Sequence, residues 1–123
     1  MILVDASVWI DHLRRGDDAL RKLLERGQVL SHPFVIGELA MGSLRQREVV
    51  LGALQDLPKA TMAQEDEALH FTSERTLFGL GIGYIDAHLL AAVQLTPDAL
   101  LWTRDKRLHQ IAAKLSLASE SML

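Results

Sequence analysis

The chain has 123 residues, a formal charge of −3, 49% hydrophobic residues and no cysteine. That length suits one compact domain over residues 1–123, burying roughly two-thirds of its unfolded surface, and no run approaches the roughly 20 apolar residues that cross a bilayer. Without cysteine, disulfides and thiolate zinc sites are excluded, so any metal must be held by oxygen or imidazole; with no basic leader, and acid at Asp5 and Asp11, a cytoplasmic protein is expected.

Ile2 to Val4 is a short apolar, partly β-branched run that predicts a central strand buried on both faces, stopping at Asp5. Ser7 reads as the N-cap of a helix over Val8 to Arg15, with Gly16 as its stop. A second helix is expected from Asp17 to Arg26, then a short strand from Gln28 to Leu30 and a turn at Ser31 to Pro33. Phe34 to Leu44 reads as a helix apolar over most of its circumference and containing Glu38, followed by a polar helix from Arg45 to Leu54 and a strand within Leu57 to Met62. Glu65 to Phe78 is helical by the spacing of Ala68, Leu69, Thr72 and Leu77. The Gly79–Gly83 run is a loop, Tyr84 to Leu95 a helix, Ala99 to Thr103 a strand and Arg104 to Leu115 a helix, with a terminal strand or disordered tail from Ser116.

Strands alternating with helices, without hairpin signals, predict a parallel sheet covered by helices on both faces. In such folds ligands gather beyond the carboxyl ends of the strands. Asp5 and Asp105 each follow a strand and would meet at one rim. Helical periodicity puts Glu38 on a stripe with Phe34, Val35, Met41 and Gly42, and Asp86 with Leu89, Leu90 and Val93, so both carboxylates are expected on core-facing sides. Singly, Asp5 serves equally well as a turn residue, Asp105 as a helix cap and Asp86 as a macrodipole partner. Glu38 has no such role in mid-helix. A buried carboxylate costs several kcal/mol unless paired or bound to a cation, so four of them from distant segments point to one metal site.

Carboxylate oxygens suit Mg²⁺ or Mn²⁺, which keep several waters and take one or two carboxylates each. Two such ions would move the balance from −3 to about +1, so the acidic charge does not exclude a polyanionic substrate. Metal-bound water attacking phosphorus in line gives metal-assisted phosphodiester hydrolysis. Asp5, Asp86 and Asp105 are the expected closer ligands. Glu38 would bind through water or position the attacking water. Arg14, Arg15, Arg104 and Lys106 (with Arg107) flank this rim and are candidate phosphate contacts. Trp9 and Trp102 are expected in the core, and the five histidines show no metal-binding pair such as HExxH.

The order VDASVWID, the Glu38 helix, GIGYIDAHLLAA and LLWTRDKRL closely resembles the PIN-domain ribonuclease toxins of the VapC type, over nearly the whole chain. The resemblance implies a three-layer α/β/α sandwich with a mainly parallel sheet, and RNA cleavage dependent on Mg²⁺ or Mn²⁺ at Asp5, Glu38, Asp86 and Asp105. It also implies Ser7 and Thr103 as polar contributors, homodimerisation, and a cognate VapB-type antitoxin whose C-terminal segment enters the active-site groove. Tyr84 stands where the family often has another aromatic, and Asp98 is an additional acid before the last strand. A haloacid dehalogenase-type phosphohydrolase needs a second Asp where this chain has Ser7, and a receiver-like phosphoacceptor needs an early acidic pair that is missing. The alternative is a catalytically inactive PIN module that binds RNA or protein.

Overall fold

The computed structural model describes residues 1–119. Three strands, β1 (Ile2–Val4), β2 (Val29–Leu30) and β3 (Leu100–Trp102), form a parallel sheet in the order β2-β1-β3. Single parallel bridges, Ser31 to Lys59 and Leu101 to Ala118, extend each edge by one short segment. The strand expected within Leu57 to Met62 is thus reduced to one bridge. Pro58 has no N–H to give the ladder, and only its carbonyl and the Ala60 N–H reach Ser31. Part of the expected terminal strand is present at Ala118; residues 120–123 lie outside the described residues.

The helices are α1 (Ala6–Arg15), α2 (Asp18–Glu25), α3 (Pro33–Ala40), α4 (Arg47–Asp56), α5 (Glu65–Glu74), α6 (Tyr84–Leu95) and α7 (Lys106–Lys114). From β1 the chain steps outward to β2 and Lys59, then returns past β1 to β3 and Ala118. Right-handed crossovers therefore set α1–α4 on one face and α5–α7 on the other. The packing agrees: α1 meets α3, α3 meets α4, and α5 meets α6, while α6 and α7 cover β3. The result is the expected three-layer sandwich, with β1 between the two directions of winding.

The core lies along this sheet: Leu3, Val4 and Leu101 are fully buried and Trp9 and Trp102 nearly so. Each such aliphatic side chain contributes about 1.5–3 kcal/mol by leaving water. Helix ends differ from expectation where local chemistry decides. Asp5, not Ser7, stands at the N-cap of α1, although its side chain makes no cap bond, because the Ser7 hydroxyl turns back to Asp5. The long helix expected to Leu44 ends at Ala40, and α5 stops at Glu74, where Thr76 takes a left-handed conformation and Leu77 N–H closes onto Thr72. Leu69, expected on the apolar face of that helix, is exposed. The helix expected from Arg104 begins at Lys106, capped by Asp105 through the Leu108 N–H at 2.9 Å.

Candidate metal and phosphodiester site

Winding direction reverses between β1 and β3, and a parallel sheet opens a crevice beyond its carboxyl ends at that point. Asp5 follows β1 directly, and Thr103 to Asp105 follow β3. Their register is fixed by Val4 pairing with Trp102 and by the Asp5 N–H donating to the Trp102 carbonyl at 2.9 Å.

Asp5 is the buried acid of the four, 7% exposed. Its Oδ2 accepts from the Ser7 hydroxyl and from the buried Thr103 hydroxyl, each at 2.8 Å. Those hydroxyls accept in turn from backbone: Arg104 N–H donates to Ser7 Oγ at 3.0 Å and Asp105 N–H to Thr103 Oγ1 at 3.1 Å. Two backbone dipoles thus reach one carboxylate oxygen through two hydroxyls. This network fixes the carboxylate plane while Oδ1 accepts no hydrogen bond among the described residues.

The other three acids are less enclosed than their apolar neighbours in sequence imply. Asp86 is half-buried, and Glu38 and Asp105 are exposed. The core-facing expectation for Glu38 is therefore corrected: Val35 on its stripe is fully buried, but Met41 is 89% exposed, so the stripe leaves the core along α3 and Glu38 opens into a cavity. That cavity, about 540 Å³, is lined by Ile10, Leu13, Leu39, Val50, Arg14 and Arg45 among others. Asp86, in the first turn of α6, accepts from the Gly83 N–H at 3.4 Å. Asp105 serves as both cap and rim acid, so the two readings of it coexist.

Electrostatics tie the four together. Glu38 is held above the ordinary carboxyl range by desolvation first, then by the charges of Asp5 and Asp86. Asp86 is also raised, by burial first, with the Gly83 N–H opposing and Asp5 and Asp105 adding to the rise. Glu38 and Asp86 are thus each raised in part by neighbouring carboxylates. Among the described residues no three acids or imidazoles already stand as a formed ligand cluster. The donor set itself is all hard oxygen, which fits an ion that keeps much of its water and takes one or two carboxylates directly.

The basic residues divide. Arg14 lines the cavity beside Glu38, and Lys106 lines a second one of about 440 Å³ with Gly81, Asp105, Arg107 and Gln110. Arg104 is bound by Asp11 at 2.8 Å and Asp17 at 2.6 Å, and Arg15 reaches Asp11 at 3.6 Å. The Asp11 and Asp17 partners of Arg104 escape sequence reading, because three separate segments make that contact. Two buried histidines sit behind the rim. His32 caps α3 by accepting the Phe34 N–H on Nδ1 at 3.0 Å, and its pKa falls to about 4 through burial first and His88 next. His88 packs edge-on against Phe34 and Tyr84. Both are buried, and among the described residues His32 Nε2 and both ring nitrogens of His88 have no hydrogen-bond partner.

Comparison with known proteins gives the family. The PIN domain family matches residues 2–114. Two relatives, each described as Ribonuclease VapC32, from Mycobacterium tuberculosis strains CDC 1551 / Oshkosh and ATCC 25618 / H37Rv, are 48% identical over 118 residues, covering 96% of this chain and 95% of theirs.

Proposed function

The chain belongs to the PIN-domain family, as a toxin ribonuclease of the VapC type, and on that premise we propose that it hydrolyses RNA phosphodiester bonds with Mg²⁺ or Mn²⁺ held among Asp5, Glu38, Asp86 and Asp105. The observation that supports the reading is that acids from α3, α6 and the ends of β1 and β3 lie close enough for Asp5 and Asp86 to add to the rise of Glu38, and Asp5 and Asp105 to that of Asp86. Like charges gathered this way are relieved by a bound proton or a bound cation, and at neutral pH a cation suits them better.

The bound ion supplies an activated water and charge stabilisation for the departing oxygen. The protein's part is orientation. Asp5 presents Oδ1 because Ser7 and Thr103 occupy Oδ2; Asp86 and Asp105 are each held by one backbone N–H. Glu38, with its raised proton affinity, positions the attacking water or holds the ion through one. As the water oxygen bonds to phosphorus, the bond to the leaving ribose oxygen breaks and the water's proton passes to a nearby base. Arg14 and Lys106 contact flanking phosphates, whereas Arg15 and Arg104 already have acidic partners.

The cavity beside Glu38 joins apolar Ile10, Leu13, Leu39 and Val50 to Arg14 and Arg45. That chemistry suits an amphipathic, acid-bearing segment, and supports a VapB-type antitoxin closing the site from this side. A homodimer is proposed on the likeness to the family alone. A cytoplasmic setting accords with an RNA substrate; among the described residues no helix is long and apolar enough to cross a membrane. The deciding experiment is cleavage of RNA by purified protein with Mg²⁺, with Mn²⁺ and with EDTA, alongside Asp5→Asn and Asp86→Asn. Cleavage is expected only with metal and only in the unsubstituted chain, with both variants folded by circular dichroism. Cleavage surviving EDTA, or surviving in both variants, overturns the assignment; metal-independent RNA binding without cleavage favours the inactive module.

A further inference from the structure

An acidic rim repels the polyanion it must cut, so at least one uncompensated cation has to face the incoming phosphates. Around Asp105 the sequence offers Arg104, Lys106 and Arg107. Arg104 is spent on Asp11 and Asp17 and lies over the Trp102 ring, 5.8 Å from its centroid. Lys106 and Arg107 both enter no ion pair or side-chain hydrogen bond among the described residues, are exposed, and line the 440 Å³ cavity that contains Asp105; Arg107 differs in lying against the backbone of Gly81.

Its side chain lies over the α5–α6 loop. Gly81 in the α5–α6 loop has φ +84°, and the Arg107 side chain fills the space where any other residue would carry Cβ. A Cβ built there would lie 3.0 Å from Arg107 Cζ and 3.1 Å from Cδ, with Nη1 closer still. The guanidinium thus lies against the loop backbone at Gly81, at the wall of the cavity that Asp105 also lines. A guanidinium without an acidic partner is free to present its planar fork to a phosphate, a two-point contact that an ammonium cannot make.

We propose that Arg107, lying against Gly81, binds an RNA phosphate beside Asp105 in addition to the contact made by Lys106. The proposal rests on the ribonuclease reading above. Gly79 supplies its control, because it has a similar left-handed conformation, φ +73°, in the same loop, yet nothing lies within 4 Å of a Cβ there. Gly79→Ala and Gly81→Ala carry comparable backbone strain, and only the second displaces Arg107.

The test is fluorescence anisotropy with a labelled RNA hairpin, in Mg²⁺, on an Asp86→Asn background so that bound RNA is not consumed, with folding checked by circular dichroism. Arg107→Ala should weaken binding several-fold and reduce the slope of log affinity against log salt by about 0.7–0.9, the loss of one phosphate contact. Gly81→Ala should give the same change, Gly79→Ala should leave affinity and slope near the starting values, and Gly81→Ala combined with Arg107→Ala should be no worse than Arg107→Ala alone. With the Asp86 codon restored, KM for cleavage should rise more than kcat falls. The proposal is overturned if Arg107→Ala binds normally, or if the two glycine variants behave alike. If the unsubstituted protein neither binds nor cleaves RNA with metal, the ribonuclease reading itself fails; normal cleavage with unaffected Arg107 and Gly81 variants sinks the proposal alone.

Discussion

Thr103→Val removes one hydroxyl and almost no volume, which isolates the hydrogen-bond network behind Asp5. Thr103 is 2% exposed, donates to Asp5 Oδ2 at 2.8 Å and accepts the Asp105 N–H at 3.1 Å. The substitution leaves a buried carboxylate oxygen with one donor instead of two. A hydrogen bond to a charged group contributes about 1.5–3 kcal/mol, so a loss of about 2 kcal/mol is expected. With an unfolding entropy of about 2.1 cal/mol/K per residue, 123 residues give roughly 0.26 kcal/mol/K, which converts that loss into a fall in Tm of roughly 8 °C. The assay is thermal and urea unfolding at pH 7 of Thr103→Val in the native and the Asp5→Asn backgrounds. With a neutral acceptor at position 5 the same substitution should cost about 1 kcal/mol less, since neutral hydrogen bonds contribute about 0.5–1.5 kcal/mol. A fall in Tm below about 2 °C, or equal costs in the two backgrounds, refutes the claim that Thr103 acts through Asp5.

Two further outcomes follow from the charges. Glu38 and Asp86 bind protons more tightly when folded, so the stability they contribute is present below the ordinary carboxyl range and is lost as pH rises through their raised values. Mn²⁺ should offset that loss: its increase in Tm should be larger at pH 7 than at pH 4.5, measured by scanning fluorimetry, and a pH-independent shift would count against a carboxylate site. His32 runs the other way. Its pKa is lowered to about 4, so its contribution holds above the ordinary value of 6.5 and is lost as pH falls towards 4; about 2 kcal/mol should go between pH 7 and pH 5. His32→Asn retains an acceptor for the Phe34 N–H and removes the titration, so in urea melts the gap between the two proteins should narrow on acidification. A constant gap would refute the account.

Much of the sheet could be read from the chain because its strands are short, apolar and closed by acids. The run Ile2 to Val4 before Asp5, and Leu100 to Trp102 before Asp105, fall where the pattern puts them. Parallel pairing then gathers distant acids without any long-range information. Exposure was less legible. Periodicity names the stripe on which Glu38 lies, but not whether the next layer covers that stripe, and α1 and α4 leave it open. Ser7 was read as a cap because capping is a local preference. Its actual partners, Asp5 and Thr103, include a residue 96 positions away, and no local rule identifies such a contact. The same holds for Arg104, whose ion pairs were beyond a reading that grouped it with its basic neighbours, and for Gly81, which read as a loop glycine although its conformation makes room for Arg107.

The hydroxyl pair behind Asp5 also sets when the site comes into being. Asp5 is oriented by a contact spanning 98 positions, and it becomes available only once β3 has docked beside β1. Until then the first acid of the chain is an ordinary hydrated aspartate, and the earlier helices, however well formed, enclose nothing that resembles the finished rim. Long-range pairing of this kind is the slow part of folding a parallel sheet. Fragments ending before Leu100 therefore lack Thr103 and Asp105 as well as the strand beside which Asp5 is held, and keep only the local Ser7 contact to its carboxylate.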